Sequence, residues 1–255
     1  MSVSLESITF SYTKEDLFKD FSIHFINGSV TVLLGPSGCG KTTMLHFLAG
    51  LRNPTTGKIS SPVFDNDAFE GKATISVESQ ALLRRTSCVF QEPRLFPWRT
   101  VSENVRIPLR NLYSVNETRD RVHYFLTLVG LEGKEHAYPA ELSGGQRQRA
   151  SLARAFAFPS SLVLMDEPFQ SLDFPLKILL MDLTLGLLKA EPRTVIAVTH
   201  DPREAIYLGD RVVVLGGRPV NIILDHPVDL SREDRSYSSN TAASLEALLF
   251  SALVN

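Results

Sequence analysis

The chain opens with short apolar bursts at Leu5 to Tyr12, Phe21 to Phe25 and Ser29 to Leu34, which read as β-strands. The third burst, Ser29-Val30-Thr31-Val32-Leu33-Leu34, runs into a glycine-rich stretch and then into Met44-Leu45-His46-Phe47-Leu48-Ala49, which is good helix material. Residues Ser60 to Arg85 mix turn formers with two brief apolar bursts, and no register can be read there. Ser87-Cys88-Val89-Phe90 predicts a further strand ending at Gln91. Beyond it the pattern turns helical, and Asn116 to Leu131 carries Val122, Phe125, Leu126 and Val129 at three- and four-residue spacing. Three buried-strand runs follow, Leu162 to Met165, Thr194 to Val198 and Arg211 to Leu215, separated by helical segments. This order predicts an α/β protein with a mostly parallel sheet, helices on its faces and a helical lobe inserted between strands. The polar stretch Ser231 to Asn240 reads as a linker. After it, Leu245, Leu248, Leu249, Ala252 and Leu253 form one apolar stripe, expected to dock on the protein's own core.

Composition narrows the classes. The chain has 255 residues, of which 44 % are hydrophobic, enough for one large packed domain or two lobes. The formal charge of -2 offers no basic excess for nucleic acid. No secretory leader pattern is visible, and no apolar run approaches the ~18 residues that a membrane span needs, so a cytosolic protein is expected. Cys39 and Cys88 are the two cysteines, too few for a disulfide framework, and both are expected as reduced thiols.

The chemistry begins at Gly35-Pro36-Ser37-Gly38-Cys39-Gly40-Lys41-Thr42-Thr43, set between a strand and a helix. Glycines let backbone NH groups curl around phosphates, and the helix beginning there presents free NH groups and a positive dipole end to the same anion. Lys41 is then expected to reach the β- and γ-phosphates of a nucleotide and Thr42 to ligate Mg2+. Cys39, beside Lys41 at a helix N-terminus, is expected to be a reactive thiol that bound nucleotide protects.

A second anion-seeking helix start lies at Leu142-Ser143-Gly144-Gly145-Gln146, followed by Arg147-Gln148-Arg149. A third feature is the strand Leu162 to Met165 that ends on Asp166 and Glu167. With these motifs the chain resembles the ATP-binding subunit of ATP-binding-cassette transporters, over about Leu5 to Asp225. The resemblance implies a P-loop NTPase fold of the cassette type: a RecA-like core with an N-terminal antiparallel β region and an inserted helical subdomain. It divides the chain into core at 1–92 and 160–225, helical signature subdomain at 93–159 and a C-terminal tail at 226–255. It also implies a head-to-tail homodimer, each ATP clamped between the phosphate loop of one copy and Ser143, Gly144, Gly145 and Gln146 of the other.

Single residues take roles from the same resemblance. Asp166 holds Mg2+ and Glu167 polarises the attacking water. Gln91 touches Mg2+ and that water, and His200 contacts the γ-phosphate. Tyr12 stacks on adenine. Asp173, in Pro168-Phe169-Gln170-Ser171-Leu172-Asp173, belongs to the subunit-contact loop, although Gln170-Ser171 and Phe174-Pro175-Leu176-Lys177 depart from the usual pattern.

The segment Phe90-Gln91-Glu92-Pro93-Arg94-Leu95-Phe96-Pro97-Trp98 looks like the nitrate, sulfonate and taurine importer group. Trp98 either protrudes to meet a permease helix or packs on its own helical lobe, and the sequence leaves both open. The implied function is a Mg2+-dependent ATPase on the inner face of the membrane. It would act as a homodimer bound to permease subunits, with an extracytoplasmic solute-binding protein as an indirect partner. The alternative is a soluble cassette ATPase outside transport.

Overall fold

The computed structural model describes residues 2–60, 69–70, 86–170, 172–237 and 239–254. The unread stretch after Ser60 therefore lies, apart from Phe69 and Glu70, outside the described residues. Two sheets carry the architecture. Strands β1 (Ser2–Ser11), β2 (Asp16–Ile26), β4 (Thr56–Ser60) and β5 (Phe69–Glu70) form an antiparallel sheet in the order β2-β1-β4-β5. The larger sheet runs β10-β9-β3-β8-β7-β6, from β3 (Val30–Leu34), β6 (Thr86–Phe90), β7 (Leu162–Asp166), β8 (Thr194–Thr199), β9 (Arg211–Gly216) and β10 (Asn221–Pro227). All its pairings are parallel except β9 with β10.

The continuous apolar runs are explained by burial on both faces. Val30, Val32 and Leu34 of β3 face one hydrophobic cluster and Leu33 the other. In the same way β7 divides Val163 and Met165 from Leu162 and Leu164, as the two-residue strand period requires. One cluster lies between the sheet, the antiparallel layer and helix α1 (Lys41–Leu48), with Phe18, Phe25 and Phe47 fully buried in it. The other joins the opposite face to α2 (Val101–Arg106), α3 (Val115–Leu128), α4 (Gly144–Ala157), α5 (Phe174–Ala190) and α6 (Pro202–Leu208). The expected apolar face of α3 is there: Val122, Phe125 and Leu126 are buried, each such side chain contributing about 1.5–3 kcal/mol. Helices α2, α3 and α4 start on capping boxes at Thr100, Ser114 and Ser143.

Helix α7 (Ala243–Val254) docks as expected through Leu245 and Leu249, but Leu248 faces outward. The preceding stretch is not a free linker. Arg235 is buried there and donates to the carbonyls of Leu230, Val228 and Gly209, which ties the segment to the end of α6. Alternating polar letters hide such a contact, because it uses backbone acceptors.

Candidate active site

Parallel strands deliver the predicted residues to one edge of the sheet. Leu34 pairs with Thr199, Asp166 with Val198 and Phe90 with Asp166, so Gly35, Gln91, Glu167 and His200 all leave the carboxyl ends of adjoining strands. Ligands of open α/β sheets bind at such an edge.

The phosphate loop is built around close approach. A Cβ at Gly35 would lie 2.5 Å from the Leu215 carbonyl oxygen, and Gly40 holds φ at 100° directly before α1. Lys41 is buried, its Nζ donating to the carbonyls of Gly35 at 2.7 Å and Pro36 at 2.8 Å. These are neutral acceptors, so the positive charge stays available to phosphate oxygens. Thr42 Oγ1 donates to Asp166 Oδ1 at 3.1 Å, bringing two hard oxygen donors together at the start of α1. Burial raises the Asp166 carboxyl above its ordinary range, the Thr42 hydrogen bond works against this, and the charge of Glu167 adds to it. A hydroxyl and a carboxylate are hard oxygen donors of the kind that Mg2+ takes.

Glu167 sits just beyond β7 with φ at 45°, a left-handed conformation that costs a non-glycine residue energy and recurs at functional sites. Its NH donates to the Val198 carbonyl at 3.1 Å. This turns the carboxylate toward His200, whose Nδ1 lies 3.2 Å from Glu167 Oε2.

A cleft of about 450 Å³ is lined by Tyr12, Ser37, Lys41, Thr43, Glu167 and Arg218 among others. Tyr12 is exposed, donates or accepts a hydrogen bond with Thr43 Oγ1 at 3.0 Å, and carries the Arg52 guanidinium 4.8 Å from its ring centre. None of Gln91, Ser143, Gly144, Gly145, Gln146, Asp173 or His200 lines this cleft. At the signature, Ser143 accepts from the Gln146 NH at 3.2 Å, and a Cβ on Gly145 would strike the Leu176 side chain.

Sequence reading missed two residues. Arg218 reaches the cleft from the β9–β10 turn, where the Val220 NH donates to the Leu17 carbonyl at 2.8 Å. An arginine in a turn carries no pattern that marks it. Gln148 is buried, and its Nε2 donates to the carbonyls of Phe90 at 3.2 Å and Pro168 at 2.9 Å. It thereby ties the signature helix to the residues beside Gln91 and Glu167. A glutamine in a helix reads as surface, which concealed it.

Two expectations about side-chain exposure are now decided. Cys39 is buried, its Sγ within the core cluster and 3.9 Å from Lys41 Nζ, so the expectation of an accessible thiol is corrected. Trp98 is 69 % exposed and meets Phe96 at a ring distance of 5.7 Å, so it protrudes rather than packing into its own lobe. Asn104, fully buried, fixes that loop by donating to the carbonyls of Phe96, Arg99 and Thr100. Beside it lies a groove of about 780 Å³ with Phe96, Ile107, Pro108 and Leu112 in its walls.

Comparison with known proteins gives one consistent result. The profile of the ABC transporter family matches residues 18–170. An uncharacterised ABC transporter ATP-binding protein of Methanocaldococcus jannaschii is 37 % identical over 91 % of this chain and 84 % of its own. An aliphatic sulfonates import ATP-binding protein of Rhodopseudomonas palustris is 36 % identical over 95 % and 80 % respectively. Among solved structures, a dimeric post-hydrolysis ATP-binding cassette bound to ADP and Pi superposes with a TM-score of 0.75 at 30 % identity, covering 90 % of this chain and all of that one. The cbiO1 protein of Clostridium perfringens, part of an ABC transporter complex, gives 0.78 at 25 % identity over 96 % of this chain and 94 % of its own.

Proposed function

Because the chain belongs to the ABC transporter family, we propose that its cleft binds ATP with Mg2+ and hydrolyses it to drive uptake of a small solute through separate permease subunits. The protein is the ATP-binding and ATP-hydrolysing subunit of an importer, like the sulfonate-import relatives. The observation that carries the mechanism is the convergence of Lys41, the Thr42–Asp166 pair and the Glu167–His200 pair at one sheet edge.

The loop NH groups from Ser37 to Thr43 and the Lys41 ammonium bind the β- and γ-phosphates, with Gly35 and Pro36 shaping the loop, and Tyr12 stacks on adenine. Thr42 and Asp166, joined by Gln91, would hold Mg2+, which would supply neutralisation of the phosphate charge. Glu167 accepts a proton from water as its oxygen attacks the γ-phosphorus and the bond to the β-bridging oxygen breaks, releasing ADP. His200 steadies the γ-phosphate while hydrogen-bonded to Glu167. A second copy completes the site with Ser143, Gly144, Gly145, Gln146 and Asp173. Support for this division comes from the dimeric state of the related cassette.

Among the described residues, no helix is long and apolar enough to cross a membrane. The relatives' role as import ATP-binding proteins supports a separate partner for the translocation path. The exposed Trp98 and Phe96 favour a permease helix as that partner, over a soluble cassette ATPase outside transport. In this reading the subunit works on the cytoplasmic face of the membrane, and solute choice rests with the permease and an extracytoplasmic binding protein. The test is phosphate release from Mg-ATP by the purified chain, together with its co-purification with a hydrophobic permease. Turnover that persists in excess EDTA would contradict the metal assignment, and a chain that never enriches a permease would contradict the transport role.

A further inference from the structure

Beneath His200 lies a partly buried polar network that none of the roles above uses. Thr199, the last residue of β8, donates its hydroxyl to Glu204 Oε2 at 2.5 Å and accepts from the Asp201 NH at 3.1 Å. Glu204, only 3 % exposed, takes Lys177 Nζ on its other oxygen at 2.5 Å. Lys177 also reaches Asp201 Oδ2 at 3.4 Å, while Asp201 Oδ1 caps α6 by accepting from the Arg203 NH at 2.9 Å. Lys177 stands in the first turn of α5, where its own NH donates to the Asp173 carbonyl at 3.0 Å. The residues on both sides of His200 are therefore tied to a lysine one helical turn below Asp173.

We propose that Lys177 and Glu204 are positioning residues: they hold His200 within reach of Glu167 and make its place depend on the loop that carries Asp173. This rests on the reading of His200 as a γ-phosphate contact and of Asp173 as facing the second copy. The Lys177 ammonium is kept charged by its neighbours. Burial alone would lower the Lys177 ammonium, but the hydrogen bonds and charges of Glu204 and Asp201 outweigh it and hold it above its ordinary value. A loop free of this network could rotate His200 away from Glu167, since the imidazole is half exposed and its Nδ1 is held by that carboxylate alone among the described residues. A second copy pressing on Asp173 would move α5 and, through Lys177, the histidine. The arrangement is a means for dimer closure to set the geometry of the reacting end of the cleft.

Steady-state ATPase of the full chain tests this. Removing one member of a buried pair leaves an uncompensated charge and can unfold the protein, whereas replacing both by apolar residues of similar volume is often neutral for stability. The deciding variant is therefore Lys177→Met with Glu204→Leu. The expected result is a fall in kcat of about ten-fold or more, with KM for ATP within about two-fold and the melting temperature near wild type. Lys177→Arg keeps the charge and should return kcat to within about three-fold of wild type. A double variant with wild-type kcat overturns the inference. So does a loss that comes with a lower melting temperature and an equal rise in KM, and so does failure of Lys177→Arg to restore kcat, because either marks a general packing role. Wild type and His200→Ala are assayed alongside. If the wild type turns over and His200→Ala does not, failure of the double variant to slow the enzyme sinks this inference alone; if His200→Ala is fully active, the reading of His200 falls and takes the inference with it.

Discussion

His200 Nδ1 lies 3.2 Å from Glu167 Oε2, which joins the residue after β8 to the residue after β7. Neither strand end would bring its side chain there by propensity alone. Glu167 adopts φ of 45°, and its NH is held by the Val198 carbonyl of the neighbouring strand. The carboxylate is thus fixed by the sheet and by one strained residue.

Glu167→Gln is expected to lower kcat by roughly 100- to 10,000-fold, the range of a general base, while ATP affinity stays near wild type. The amide keeps the shape but cannot take the proton. Phosphate release and equilibrium binding of ATP, measured on one preparation, check this; a variant that still hydrolyses at the wild-type rate removes Glu167 from the mechanism.

Lys41→Ala removes the cation that now rests on the Gly35 and Pro36 carbonyls. Hydrogen bonds to charged groups are worth about 1.5–3 kcal/mol each, so ATP affinity should fall at least about ten-fold, and more if two phosphates are held. Isothermal titration with Mg-ATP gives the answer, and unchanged affinity would refute the phosphate-loop assignment.

Asp166→Asn should separate stability from binding. The Asp166 carboxyl titrates above its unfolded value, first because it is buried, and Glu167 adds a like charge, with Thr42 opposing both. A raised carboxyl favours the folded state while protonated, and that contribution is lost as pH rises through the folded-state value, leaving a net cost at neutral pH. The neutral amide removes the cost and can still accept from Thr42. At pH 7 the variant should therefore melt above wild type without nucleotide, yet gain less on adding Mg-ATP. A lower melting temperature would show that the carboxylate is a structural anchor instead.

Most of this site was legible in the sequence because phosphate binding needs glycines, a lysine and a hydroxyl at fixed neighbouring positions, and local patterns survive in one dimension. The strand runs were legible for the same reason, since both faces of β3, β7 and β8 are buried. Contacts made by lone side chains across the fold were not. Gln148, Arg218 and the Lys177–Glu204 pair look like ordinary surface residues until strand order brings their partners close. Cys39 misled for a related reason: its neighbours in sequence suggested an activated thiol, but its side chain is buried in the core cluster.

That burial sets the expectation for thiol chemistry. Brief maleimide treatment should leave Cys39 largely unmodified whether or not Mg-ATP is present. Cys88 should also resist, because burial, with the charge of Asp166 adding to it, pushes its thiol up to about 11. Peptide mapping after labelling decides; rapid modification of Cys39 would mean that the loop opens in solution.

Trp98→Ala with Arg99→Ala should leave basal hydrolysis within about two-fold of wild type while weakening permease assembly, since truncating a hot-spot tryptophan costs an interface about 2 kcal/mol or more, about thirty-fold in affinity. Arg99 also pairs with Glu103 at 3.1 Å, so circular dichroism should accompany the assay. Lost folding with intact permease binding would assign the loop a structural task.

The central claim is that ATP is clamped between the phosphate loop of one copy and the signature of another. Sedimentation velocity of Glu167→Gln, with and without ATP, measures it directly, and Ser143→Arg in the same background blocks the signature without touching the loop. Glu167→Gln is expected to be a monomer without ATP, a dimer with it, and a monomer again once Ser143→Arg is added. A Glu167→Gln protein that binds ATP yet stays monomeric, or a dimer indifferent to Ser143→Arg, would contradict it.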